Sequence, residues 1–146
     1  MQPPLELQDF WIDELIIQAN KEFKPTKTAN WIAPEIGFEI LKAPRKKEFL
    51  ICMKINMARE EKIPTHTPYQ IGIILSGLFR FVKGTNQETI NKMIAPNGLA
   101  ILYGMARSTI AQATACGRNG KFLFPAVNLI EVIRLKAKNL DKGKEE

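Results

Sequence analysis

The sequence predicts an α+β fold in which a four-stranded antiparallel sheet is followed by helices packed on one of its faces. Four strand-like segments come in succession before residue 83. The connections between them show no crossover helix of the kind parallel neighbours require. Every helical pattern follows the last strand, which is the α+β order.

The first segment, Leu5 to Ala19, is rich in large apolar side chains but alternates poorly. A link with Pro25, Trp31 and Pro34 leads to the second, at 36–41. The third, at 48–58, places Phe49, Ile51, Met53, Ile55 and Met57 on one side and Glu48, Lys54 and Asn56 on the other, the period-two pattern of a half-buried strand. Arg45-Lys46-Lys47 before it reads as a hairpin connection, and a polar loop at 59–68 follows it. In the fourth, at 69–82, Tyr69, Ile71, Ile73, Leu75, Gly77, Phe79 and Phe81 share a face.

A short helix is expected at 86–94. Pro96 lacks an N–H and its ring clashes with the preceding turn, so it should end that helix, and Asn97 should cap a longer one. Leu99, Leu102, Ala106, Ile110 and Ala113 then recur at helical spacing, and Gly117 is expected to stop the helix in the left-handed conformation. Asn128 can cap a last helix. The chain of 146 residues suits a single domain, 1–140, with 141–146 as a mobile polar tail.

Composition narrows the function classes. A hydrophobic fraction of 45% belongs to a folded chain. No apolar stretch approaches the roughly 18 residues of a membrane span, and Met1-Gln2-Pro3-Pro4 has no cationic start of a signal peptide. A cytoplasmic protein without a membrane partner is therefore expected. Cys52 and Cys116 read as buried free thiols, and with the single His66 they make no metal set, so neither metal nor cofactor is expected. The formal charge of +6, with basic groups at 45–47 and from Arg134 to Lys144, reads as a solvated face or as a surface for an acidic partner.

No enzyme emerges. Gly120-Lys121 lacks the phosphate-wrapping frame of a P-loop, and Ser76-Gly77 lacks the preceding glycine of a nucleophile elbow. His66, between two prolines, has no acid or nucleophile beside it, and Glu60 and Glu61 are adjacent and so point apart. Residues 76–82, with Phe79, Arg80 and Phe81, are similar to an RNA-recognition strand whose aromatics stack bases. That fold requires helices between its strands, so inward packing is the stronger reading, and a basic nucleic-acid-binding domain stands as the alternative function. Phe10, Trp11, Trp31, Ile32 and Ile36 concentrate large apolar side chains near the link. They either staple it to the sheet or wall a groove for apolar segments of another chain.

The run Pro96-Asn97, Arg107, Ile110, Gly117 and Pro125-Ala126-Val127-Asn128, together with Asn30-Trp31-Ile32-Ala33-Pro34-Glu35-Ile36 and Gly77-Leu78-Phe79, resembles the SecB-type protein-export chaperone family over residues 5–135. The resemblance implies an ATP-independent chaperone that holds unfolded or pre-secretory polypeptide in apolar grooves lined by the link and by helix faces. Phe10, Trp11, Trp31, Ile32, Leu102 and Met105 are then the client-binding candidates. It also implies a homodimer or a homotetramer built as a dimer of dimers, with Ala100, Gly104, Ala106, Ile110, Ala111 and Ala113 suited to close contact between long helices. Three departures speak against delivery to the SecA motor: the family's cysteine-histidine zinc tail is missing, its acidic sheet face survives only in Asp13, and the chain is basic. A solitary member serving one client or an antitoxin fits these departures better.

Overall fold

Strands β1 (Leu5–Ala19), β2 (Glu35–Lys42), β3 (Glu48–Met57) and β4 (Tyr69–Phe81) form one sheet in the order β1-β4-β3-β2. Every neighbouring pair is antiparallel. The computed structural model describes residues 3–25, 33–59 and 63–145, which leaves Trp31 and Ile32 outside the described residues. Helix α1 (Gln87–Thr114) lies on one face of the sheet, and α2 (Leu129–Glu145) packs against α1 beside the β2 edge.

The poor alternation of β1 has a cause in its pairing. The register against β4 slips between Leu7 and Asp9 and again between Ile12 and Glu14. Each slip inserts one residue and resets the alternation. As a result Leu5, Leu7, Phe10, Ile12, Leu15 and Ile17 all stand opposite the inward residues of β4. Asp13, at the second slip, accepts a hydrogen bond from Ser76 Oγ at 2.7 Å.

The core lies between the sheet and α1. Ile51, Met53, Ile55, Ile71, Ile73, Leu75, Phe79 and Phe81 come from the sheet, and Ile90, Leu99, Leu102, Ala106 and Ile110 from the helix. Two glycines let these layers approach. A Cβ on Gly98 would collide with Ile51 Cδ1, and one on Gly77 would stand 2.9 Å from Leu102 Cδ2.

The expected pair of helices is one helix. Asn86 caps it, its Oδ1 accepting from Thr89 N–H at 2.8 Å, and it continues through Pro96. A proline inside a helix costs roughly 3 kcal/mol. Ile90 before it and Leu99 and Leu102 after it are buried on the same sheet, at about 1.5–3 kcal/mol each, and together they offset that cost. Gly117 does not take the left-handed conformation; Gly120, with φ +86°, does so three residues later. Cys116, expected to be buried, is exposed just beyond the helix end, while Cys52 is half-buried on β3.

From Gly120 the chain runs back along α1. Phe122 N–H donates to Thr114 Oγ1 at 2.8 Å, Arg107 Nε–H to the Phe124 carbonyl at 3.0 Å, and Tyr103 Oη–H to the Pro125 carbonyl at 2.5 Å. Tyr103 also stacks on Phe124. Where this strap starts, Asn119 Nδ2 donates to the carbonyls of Asn20 and Pro68, at 2.9 and 2.7 Å. Tyr69 Oη accepts from Asn119 N–H and donates to the Gly120 carbonyl. This clasp joins three loops. Asn128 then caps α2 through Glu131 N–H. The helix continues to Glu145, so 141–145 belong to it where a separate polar tail was expected.

Two outcomes test this packing. Gly98→Ala is expected to lower stability by about 1–3 kcal/mol, as overpacking does, and Ile51→Val, which removes the colliding methyl, should restore part of that loss in chemical denaturation. Burial raises the Tyr103 pKa above 10.0, against a smaller lowering by Arg107. The folded state therefore holds this proton more tightly than the unfolded chain, and the stability it contributes is complete below pH 10 and lost as pH rises beyond. Tyr103→Phe should flatten that alkaline loss and cost about 1 kcal/mol at neutral pH through the missing hydrogen bond.

Candidate functional site

The sequence candidates divide between the two faces of the sheet. Phe10 stands opposite Gly77 on the helix side, half-buried against the core, whereas Trp11 stands opposite Ser76 on the outer face and is 43% exposed. They do not wall one groove. Leu102 is fully buried beneath α1, in contact range of Gly77, and Met105 is half-buried against the core. Leu102 is thus a packing residue of its own chain, because the spacing that marks it as apolar is the spacing that turns it to the sheet.

The small residues of α1 divide in the same way. Ala106 and Ile110 are buried toward the sheet and are not available to a second helix. Ala100, Gly104 and Ala113 are exposed. Ala100 and Gly104, four residues apart, share an outward stripe with Ala111. Phe79 and Phe81 are also buried, so the aromatic pair that is similar to an RNA-recognition strand has no face for a base.

A groove that the sequence did not mark lies between the edge strand β2 and α2. Its volume is about 890 Å³. Ile36 and Phe38 form one wall together with Glu35 and Glu39, and Val132, Leu135 and Leu140 the other, with Cys52, Lys54 and Ile74 reaching it from the outer face of the sheet. The α2 wall follows from spacing: residues 132, 135, 136, 139 and 140 fall on one helical face. Leu135 and Leu140 remain 51% and 58% exposed there. Lys136 crosses the groove, its ammonium donating to the Phe38 carbonyl and lying 4.4 Å from the centre of the Phe38 ring.

A second recess, of about 490 Å³, lies on the outer face and is polar, lined by Glu14, Glu35, Lys54, Asn56 and Arg59. A third, of about 520 Å³, gathers Lys46, Lys47, Arg80 and Lys83 with one acid, Glu6, which stands 3.9 Å from Arg80 as an ion pair. Lys47 Nζ there donates to the Thr85 carbonyl. Among the described residues no three His, Cys, Asp or Glu side chains gather as a metal site, and no helix is long and apolar enough to cross a membrane.

The signal that could have found the groove is present in α2. Val132, Leu135 and Leu140 are interspersed with Arg134, Lys136 and Lys138, but the same run reads equally as a basic solvated helix until the neighbouring strand is known. On the opposite edge of the sheet, Ile12 and Leu15 of β1 stand on the helix side yet are each 41% exposed. Both edges of the sheet therefore offer apolar surface.

No protein-family model and no curated protein matches the chain. Solved structures do. The SecB-like chaperone Rv1957 of Mycobacterium tuberculosis, in complex with a ChAD peptide from the Rv1956 HigA1 antitoxin, superposes with a TM-score of 0.56 at 12% identity, over 86% of this chain and 91% of that one. A Streptococcus agalactiae protein of unknown function superposes with a TM-score of 0.52 at 10% identity, over 84% of this chain and 97% of that one. At such identities the likeness is one of fold, and the four antiparallel strands followed by two helices give this chain the architecture of a SecB-like chaperone.

Proposed function

We propose that this protein is an ATP-independent holding chaperone that takes apolar segments of non-native polypeptide into the groove between β2 and α2. One observation carries the reading: two large aliphatic side chains of α2, Leu135 and Leu140, stay more than half exposed in a groove whose other wall presents Ile36 and Phe38 between Glu35 and Glu39. Isolated exposed leucines are ordinary, but a contiguous apolar groove rimmed by charged residues marks a site of association. The groove has the shape and chemistry for peptide side chains and holds no arrangement of catalytic groups. Holding by burial needs no nucleotide.

The SecB-like neighbour bound to an antitoxin peptide supports a dedicated client of that kind, ahead of general export through SecA. Trp31 and Ile32 remain client-binding candidates in the link, and Trp11 and Phe10 line opposite sides of the β1 edge. The exposed Ala100 and Gly104 stripe and the apolar β1 edge support a homodimer or homotetramer, and the cytoplasm is the compartment this reading assigns to it. The net positive recess at Lys46, Lys47, Arg80 and Lys83, in which Glu6 offsets one charge, is the observation that favours nucleic acid as the alternative partner.

The protein is expected to suppress aggregation of an unfolded client without ATP. Leu135→Glu combined with Leu140→Glu should weaken that capture by roughly tenfold or more, since each anchoring side chain contributes about 1.5–3 kcal/mol before ordering costs. Both side chains are largely exposed, so the melting temperature should barely move. Trp31→Ala is expected to weaken capture in the same assay. Salt separates the two readings: apolar capture persists at high ionic strength, whereas a phosphate-led complex dissociates steeply. Light scattering should give a dimer or tetramer, and a monomer at all working concentrations would refute the assembly.

A further inference from the structure

The outer face of the sheet carries a seat for a guanidinium. Gly72, on the inner strand β4, lies in one cross-strand row with Ile16, Asn56 and Glu35. Its missing side chain leaves a gap in that row, and Arg59 fills it: a Cβ on Gly72 would stand 2.5 Å from Arg59 Nη1 and 3.3 Å from Asn56 Oδ1. Ala58, between β3 and Arg59, takes the left-handed conformation, with φ +56°. A non-glycine residue there is uncommon and persists where its surroundings hold it. Two local exceptions, a glycine in mid-strand and an alanine at positive φ, thus place one cation over the sheet.

Two residues along the same face, Glu14 and Lys54 flank Ile74 from opposite sides. Strand spacing puts their backbones about 9–10 Å apart. Together with Arg59 and Glu35 they line the recess of about 490 Å³. Two cations and two carboxylates cancel in net charge. Among the described residues none of the four forms an ion pair. A ligand of one sign would gain one partner here and face two like charges, whereas a molecule carrying both signs gains a partner at each end.

We infer that this recess binds a small zwitterion of dipeptide size, its carboxylate held between Arg59 and Lys54 and its ammonium by Glu14, with the body of the molecule lying across Ile74. A guanidinium offers a carboxylate two parallel donors, and Asn56 adds an amide beside the gap. Size follows from spacing. The charges of an α-amino acid are one carbon apart and cannot reach both sides of Ile74, while two extended residues span about 6–7 Å. The site goes beyond the capture of polypeptide in the neighbouring groove. Glu35, Lys54 and Ile74 border both hollows, but Glu14 and Arg59 line the recess and not the groove.

The test titrates the isotope-labelled full chain with glycylglycine and follows the amide resonances of Asn56, Gly72 and Ile74. Saturable shifts are expected. Glycine, N-acetylglycylglycine without the ammonium, and glycylglycinamide without the carboxylate should each bind about tenfold more weakly or worse, because each gives up one of the two charged ends. Arg59→Gln should cut the discrimination against glycylglycinamide to about threefold or less, and Glu14→Gln that against N-acetylglycylglycine. Gly72→Ala keeps all four charges and displaces only the flexible end of Arg59, so it should weaken binding without lowering the melting temperature. Suppression of client aggregation by the Arg59 and Glu14 variants should match the parent, which separates the recess from the groove. If glycylglycine gives no saturable shift, or if Arg59→Gln and Glu14→Gln leave both discriminations intact, the site is refuted. If N-acetylglycylglycine binds as tightly as glycylglycine, the recess is a plain anion site and the zwitterion is refuted. Equal binding of glycine would refute the dipeptide span.

Discussion

The closeness with which α1 rests on the sheet governs the rest of the molecule. Gly98 stands over Ile51 and Gly77 beneath Leu102, and a methyl group at either position would force buried side chains to shift, Ile51 in the first case and Phe79 and Leu102 in the second. Seated so closely, the helix buries one continuous stripe from Ile90 to Ile110 and withholds it from any partner. The same seating leaves Ala100 and Gly104 on the far side. It also fixes the height at which Tyr103 and Arg107 meet the returning strap, and hence where α2 begins. The groove beside β2 is a downstream result of that contact.

One helix covers the centre of a four-stranded sheet, so the edges are where apolar surface remains. On β1 it appears at Ile12 and Leu15, and on β2 it is partly screened by α2. A sheet with two uncovered edges invites association, and natural edges are normally protected by charges, bulges or covering elements. Here β1 carries two bulges and β2 carries Lys136 on its central outward carbonyl. The edges are thus guarded without being sealed, an arrangement suited to a protein whose partners come and go.

Much of the architecture was legible because period-two patterns in β3 and β4 are uninterrupted. Their boundaries, the α+β order and the resemblance to the SecB-like fold followed from residues 48–58, 69–82 and 96–128. Pro96 misled because a local rule about proline was outweighed by burial on both sides of it, which only tertiary packing decides. The face assignments in β1 were hidden by the inserted Gln8 and Asp13, since two slips scramble alternation without changing composition. Leu102 was read as a client-binding residue, and Ala106 and Ile110 as contacts between subunits, because a helix stripe announces that it will be buried and never against what. The groove itself was illegible: it exists only between β2 and α2, nearly a hundred residues apart.

The Asn119 clasp has a consequence for how the chain reaches this state. It ties Asn20 to a residue 99 positions later, and to Pro68 51 positions away. Every strand partner in the sheet lies before residue 82, so the four strands can pair during synthesis while α1 is still being made. Contacts of such long sequence separation are slow to close, because loop closure is entropically costly before it is rewarded. Until α1 and the clasp arrive, the nascent sheet shows an apolar face of the kind a holding chaperone recognises. During its own birth this protein passes through the condition of a client.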